Sequence, residues 1–366
     1  MLRTLQPEPA LPRADAIDAA RAAQTAARVL LLALLVMLAA AVQLGAVPVH
    51  AADWWAGLMR WTHAGAEPMP GSAYVLWHVR LPRALFAMLV GASLALAGAL
   101  VQGLFRNPLA DPQLLGVTSG AACMAALVLT VFAAAQAKVP AEWRLWVLPL
   151  ASFIGALAVC FLLERLARWL TPGSVAGLLL TGLAVNAVAM AIVGLCSYLA
   201  TDEQLRNLTF WTLGSLAGAQ WNVVAVMAFA LPLAAWQARR LGPALNAIAL
   251  GEAAAGHVGV DVPHVRRRLV VVIALLSALA VAWCGLISFI GLIAPHLVRG
   301  VAGSDQRRLL PLAMAAGALL MLLADTVART VAIPAEIPVG IFTALIGGPG
   351  FLLLLRSVVV RQGGHA

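Results

Sequence analysis

Residues 241–268 read Leu-Gly-Pro-Ala-Leu-Asn-Ala-Ile-Ala-Leu-Gly-Glu-Ala-Ala-Ala-Gly-His-Val-Gly-Val-Asp-Val-Pro-His-Val-Arg-Arg-Arg. Arg239 and Arg240 stand before this stretch, Arg266, Arg267 and Arg268 close it, and apolar runs flank both ends. Positive charge of this density beside apolar spans marks the cytoplasmic side of a membrane. Within the stretch, Ala244 to Gly251 and Glu252 to Val258 are predicted as two short helices, broken at Gly251 and Gly259. Both are built from small residues and have little apolar surface of their own, so they need something to lie against. The stretch, about 241–266, reads as the place where a membrane protein is gripped from the cytoplasm. An ordinary connecting loop fits the same pattern.

Working outward, the composition agrees with a membrane setting. Of 366 residues, 63% are hydrophobic and 11% charged, against about half and about a quarter in soluble domains. Mean hydropathy is +0.94. The chain therefore reads as an all-α polytopic membrane protein. In a soluble protein the net charge of +9 would suggest nucleic acid. Here the basic residues sit at the ends of apolar runs, so topology accounts for them and no nucleic-acid partner is expected. Cys123, Cys160, Cys196 and Cys284 are each isolated in an apolar run, with no metal-ligand or disulfide spacing. They read as small hydrophobes in helix packing.

Residues 1–28 hold Arg3, Arg13, Arg21 and Arg28 among scattered acids and prolines. A cleaved signal peptide is one reading, given the small residues at Val47 to Ala52. The run from Val29 to Val47 is longer than a signal core and long enough to span. The expectation is a cytoplasmic tail over 1–28 and one transmembrane domain over 29–360. Ten spans are predicted, at about 29–47, 84–104, 114–135, 146–169, 177–200, 222–240, 268–287, 288–302, 309–333 and 338–358. The eighth is short and interrupted by Pro295, which is tolerated at membrane depth where protein covers it. With the N-terminus inside, alternate crossings place most of the 24 basic residues on the cytoplasmic side, and both termini with them. The first outer loop carries Trp54, Trp55, Trp61 and Trp77, as headgroup-level segments do. It also carries His50, His63 and His78, for which a surface role is commoner than metal ligation. Residues 207–218 suit a short outer helix followed by a re-entry turn.

Several motifs lie on this frame. Gly98 to Pro108 and Gly285 to Pro295 share Gly and Pro at one spacing, with Arg80 and Arg267 equally far before each. On this topology the copies point in opposite directions, as inverted transporter repeats do. Arg80-Leu-Pro-Arg83 opens the second span on the outer face, and Arg329 lies near the same face. They read either as interfacial anchors or as docking points for acidic side chains of an external partner. Asp325 precedes Arg329 by one turn, and an i,i+4 pair explains both charges locally. An ion-coupled carrier would need such an acid at mid-depth, but Asp325 falls about 24 Å past Leu309 at ~1.5 Å per residue, towards the outer end. Cytoplasmic turns are predicted at Asn107 to Pro112 and Thr171 to Gly177. Asn186 is the only amide of the fifth span and either lines a path or bonds between helices. No metalloprotease, paired-acid or nucleophile-elbow motif is present, and no phosphate loop. Any ATP chemistry belongs to another chain.

Taken together, the segments Arg80-Leu-Pro-Arg83, Gly103 to Gly116, Leu250 to Gly259, Gly285 to Arg299, Ala324 to Arg329 and Glu336 to Gly340 with Gly347 resemble one family. It is the permease subunit of bacterial ABC importers for iron–siderophores, haem and cobalamin, and the closest similarity is to haem permeases. The resemblance implies a type II importer permease fold of about ten helices in the bacterial inner membrane. It implies a homodimer working with two cytoplasmic ATP-binding subunits, which hold ATP and Mg, and with a periplasmic substrate-binding protein. No cofactor or metal is implied for this chain. The resemblance assigns ATPase coupling to Leu250, Gly251, Glu252, Ala255 and Gly259, and docking of the binding protein to Arg80, Arg83 and Arg329. It places Thr171, Ser174 and Asn186 on the translocation path, although Thr171 to Ser174 departs from the more polar stretch of cobalamin permeases. An ion-coupled secondary transporter, or a membrane enzyme acting on lipid, are the readings of other classes.

Overall fold

The computed structural model describes residues 13–62, 70–172 and 174–363, so His63 and the start of the N-terminal tail lie outside the described residues. All regular elements among the described residues are helical. They are α1 (Arg13–Gln43), α2 (Ala51–Thr62), α3 (Gly71–Tyr74), α4 (Leu81–Phe105), α5 (Val117–Leu129), α6 (Ala133–Ala137), α7 (Ala141–Leu170), α8 (Val175–Leu199) and α9 (Asp202–Thr212). They continue with α10 (Trp221–Ala249), α11 (Glu252–His257), α12 (Val262–Cys284), α13 (Ile290–Ala302), α14 (Gln306–Thr330) and α15 (Val339–Gly363). A wider turn of helix, Val75–Arg80, joins α3 to α4.

Seven helical runs are long and apolar enough to cross a membrane, and α5, α13 and α15 are shorter apolar helices. Each of the ten predicted spans is occupied by one of these. The helix α4 is the central one. Its residues from Val90 to Gln102 are buried on every side, which is why it reads as an unbroken apolar run rather than an amphipathic stripe. Small residues bring its neighbours close. Gly91 lies against the Gly317 backbone of α14, and Gly98 against the Gly291 backbone of α13. At both places a Cβ would overlap the facing carbonyl, the close approach that small residues permit between membrane helices. Gly98 and Gly291 belong to the two copies of the Gly/Pro pattern, which thus meet face to face.

The helices α5 and α13 have 13 residues each. That is about 20 Å of rise against a hydrocarbon core of about 30 Å. Irregular links reach into the protein beside them. Asp111 and Pro112 line one small cavity with Ser277, Val281 and Gly291, and Gln113 Nε2 donates to Ser288 Oγ at 3.0 Å. The link before α5 therefore touches the link before α13, and protein covers both, as irregular backbone at depth requires. The Gln102 amide serves the same place. It donates to the Leu292 carbonyl at 3.2 Å and accepts from Arg299 at 3.0 Å.

One expectation is corrected. Ala244 to Gly251 is not a separate helix, because α10 runs unbroken to Ala249 with Pro232 and Pro243 inside it. Its cytoplasmic turns are held by burial of Leu241, Leu245 and Ile248 in the main core, so the break comes only at Gly251. The i,i+4 ion pair of Asp325 and Arg329 is present at 3.7 Å, and Arg83 is a second, closer partner of Asp325 at 3.0 Å. The short outer helix is present as α9. It starts earlier than predicted, at a capping box of Thr201 and Gln204, and is followed by a turn at Gly214 with φ +72°.

Candidate functional site

The surface that the arginine placement assigns to the cytoplasm is built by the end of α10, by α11 and by the start of α12. Gly251 joins the first two with φ +122°, and Gly259 leaves α11 with φ +84°. Both conformations are open to glycine and strained for other residues. Ala255 is fully buried and sits in the main core beside Leu245, Ile248 and Val265. It fixes α11 to the membrane body by its inner face. The outer face is left uncovered, with Leu250 83% and Val258 72% exposed. Glu252 accepts from Arg266 Nη2 of α12 at 2.6 Å. Both side chains are partly solvated, so this bond is worth about 0–1 kcal/mol and sets geometry more than stability.

A second tie went unseen in the sequence. Asn246 Nδ2 donates to Asp305 Oδ1 at 2.7 Å, and the Gln306 backbone N–H donates to Asn246 Oδ1 at 3.0 Å. This links α10 to the N-cap of α14. Asp305 before Arg307 is a visible cap signal, but its partner 59 residues away has no local signature. Burial alone would raise the Asp305 carboxyl. The hydrogen bonds from Asn246 and the Arg307 N–H, with the nearby charges of Arg308 and Arg307, outweigh it and hold the group below its ordinary value.

Thr171 and Ser174 lie at the turn between α7 and α8. Ser174 caps α8 by accepting from the Gly177 N–H at 3.0 Å, and the Thr171 hydroxyl donates to the Ala167 carbonyl at 3.2 Å. Both line a cavity of about 310 Å³. Asn186 is not beside them. It accepts from Ser119 Oγ at 2.6 Å, between α8 and α5.

The outer arginines are turned inward. Arg80 donates to the carbonyls of Val42 and Gln43 at 3.0 and 2.9 Å, and also to that of Val47. Arg329 donates to the Leu44 carbonyl at 2.8 Å and to that of Ala41. Two cations from elsewhere thus cap the C-terminus of α1, whose carbonyls carry the negative end of the helix dipole. Arg83 grips Asp325 through Nε at 3.1 Å and Nη2 at 3.0 Å, and Glu336 through Nη1 at 2.8 Å. Arg329 stands 3.7 Å from Asp325. Asp325 is 1% exposed, whereas Glu336 is 48% exposed. In this conformation all three guanidinium groups already have partners, and Glu336 is the member of the cluster that faces out.

Of the outer histidines, His50 Nδ1 is 3.8 Å from Asp53 and His78 packs on the Tyr74 ring at 4.7 Å. Hydrogen bonds from the His50 N–H and the Ser72 hydroxyl hold the Asp53 carboxyl below its ordinary value. Among the described residues no group of three or more His, Cys, Asp or Glu is placed to hold a metal ion.

The model of the FecCD transport family matches residues 31–357. The hemin transport system permease protein HmuU of Yersinia pestis is 45% identical over 298 residues, covering 79% of this chain and 86% of that protein. The vitamin B12 import system permease protein BtuC of Pectobacterium atrosepticum is 42% identical over 299 residues, covering 81% and 87%. A solved structure described as an inward-facing conformation of a metal-chelate type ABC transporter superposes with a TM-score of 0.76 at 32% identity, covering 90% of this chain and 97% of that one.

Proposed function

The chain belongs to the FecCD transport family, and from this we propose that it is the membrane-spanning permease of an ATP-driven importer whose cargo is haem. The cytoplasmic surface carries the reading. A short helix is fixed by Ala255 on one side and presents Leu250 and Val258 to solvent on the other, which suits a seat in a second protein. The sequence has no phosphate loop of its own, so the seat belongs to an ATP-binding subunit. Leu250, Gly251, Glu252 and Gly259 form this coupling surface, with Ala255 as its buried anchor. Two permeases, two ATPases and a periplasmic binding protein make the assembly, set in the bacterial inner membrane with both permease termini cytoplasmic. Haem is the preferred cargo because a hemin permease is 45% identical; a ferric siderophore or cobalamin is the alternative.

In the cycle we infer, ATP closes the two ATPases and pulls on α11. The pull passes through Ala255 and the Glu252–Arg266 pair into α12, and through Asn246 into α14. Thr171, Ser174 and Asn186 lie along the path that then changes its open side. On the outer face, an acidic side chain of the binding protein competes with Glu336 for Arg83, while Arg80 and Arg329 hold α1. An ion-coupled mechanism through Asp325 gains no support, since that carboxylate is buried and paired with Arg83 at 3.0 Å. The test is ATP hydrolysis and uptake in proteoliposomes holding the permease with its ATPase and binding protein. ATP-dependent haem uptake supports the reading. Uptake that ignores an ATPase-dead partner and follows the proton gradient refutes it.

A further inference from the structure

The cavity at the cytoplasmic turn, which Thr171 and Ser174 of the path also line, has a basic wall of which the transport cycle uses only Arg266. Arg168 of α7 and Arg266 and Arg267 of α12 stand on its wall, with Glu164 as the one acid. Arg168 is 3.5 Å from Glu164 and Arg266 is 2.6 Å from Glu252. Arg267 is exposed and has no hydrogen-bond or ion-pair partner among the described residues. Apart from Thr171 and Ser174 the remaining wall is apolar, with Leu104, Phe105, Leu178 and Val270. Beside Arg168, Trp169 is 78% and Leu170 56% exposed. An exposed Trp at the end of a spanning helix lies at headgroup level, so the arginines sit at the depth of lipid phosphates.

We propose that this cavity binds the headgroup of an anionic phospholipid, with the phosphodiester on Arg267 and Arg168 and the first apolar part of the chains against Phe105, Leu178 and Val270. A basic pocket between spanning helices on the cytoplasmic side is the setting in which such headgroups are recognised. A free phosphate would satisfy the arginines but leave the apolar wall without an occupant. The site also reaches the coupling surface, because Arg266 is the residue that holds Glu252. A phosphate that draws Arg266 towards the cavity loosens the start of α11, so lipid charge tunes coupling. This last consequence rests on the importer reading; lipid binding does not.

The full-length chain, with any subunits that co-purify, is placed in phosphatidylcholine nanodiscs doped with phosphatidylglycerol, and retained lipids are counted by native mass spectrometry. Retention of phosphatidylglycerol over phosphatidylcholine is expected. Arg267→Ala and Arg168→Ala each lower it about fivefold, the factor one basic residue contributes near an anionic leaflet. Arg267→Lys restores most of it, and Arg206→Ala, in the outer helix α9, changes nothing. Equal retention of the two lipids, or retention untouched by the Arg267 and Arg168 changes, overturns the proposal. Displacement of phosphatidylglycerol by inorganic phosphate at matching concentration also overturns it, in favour of a site for the free anion. None of these readouts needs transport, so they stand or fall apart from the importer reading.

Discussion

Removing the Asp325 carboxylate would leave Arg83 buried with only Glu336, itself half exposed. Breaking one partner of a buried pair costs about 3–5 kcal/mol. Asp325→Asn is therefore expected to lower the thermal unfolding midpoint in detergent markedly, and Glu336→Gln to lower it far less. The double change Asp325→Leu with Arg83→Met should recover much of the loss, since the buried Arg83 charge is no longer stranded, Arg329 keeps the Leu44 carbonyl and Glu336 is half exposed. An Asp325→Asn protein that unfolds with the wild type would show that the pair does not hold α4 to α14. The sequence showed Asp325 and Arg329 one turn apart but gave no sign of Arg83, because a partner 242 residues away leaves no periodic trace. For the same reason Arg80 and Arg329 read as interfacial anchors or docking points. In this conformation they donate to backbone carbonyls at and just beyond the end of α1, which a sequence does not display.

The helix α11 depends on the glycine before it. At Gly251 a Cβ would meet nothing within 4 Å, yet φ is +122°, so Gly251→Ala tests backbone conformation without a clash. Such positions store on the order of 1–3 kcal/mol of strain for other residues. The variant should fold and reach the membrane, but its ATPase should lose cargo stimulation as α11 turns off its seat. Ordinary stimulation would mean that the glycine is incidental. The tie between α10 and α14 has a pH signature. The folded Asp305 carboxyl lies below its ordinary value, so its contribution is complete above the unfolded pKa and is lost as pH falls through the folded one. Amide exchange of the last turns of α10 should accelerate over that acid window, and Asp305→Asn should abolish the dependence. The ten apolar helices were legible because each is a long or glycine-bounded run. The continuity of α10 was not, since Pro243 and a small-residue composition imitate a break. What holds it helical is tertiary burial of Leu241, Leu245 and Ile248.

The whole chain is a set of helices around α4 with two uncovered regions of different character. The one around α11 is small, with Leu250 and Val258 exposed. The other is the apolar surface of helices such as α8 and α15, where Leu183, Leu195, Tyr198, Leu345 and Leu353 are exposed. The proposed assembly puts lipid or a second copy of the chain against that surface, and a homodimer should then appear by mass in a mild detergent. Charge placement predicts both termini inside, so single cysteines introduced at Ser304 and Gln220 should label from opposite sides of sealed vesicles. The central claim is that this chain moves cargo only when a separate ATPase acts through α11. It is tested most directly by haem uptake and ATP hydrolysis in proteoliposomes with the full assembly, comparing the wild type with Glu252→Arg. The change removes a bond worth only about 0–1 kcal/mol, so folding should survive it. The account predicts ATP-dependent haem uptake by the wild type, and in the variant basal ATP hydrolysis with uptake lost. Uptake by Glu252→Arg at the wild-type rate, or uptake by the wild type without ATP, would contradict it.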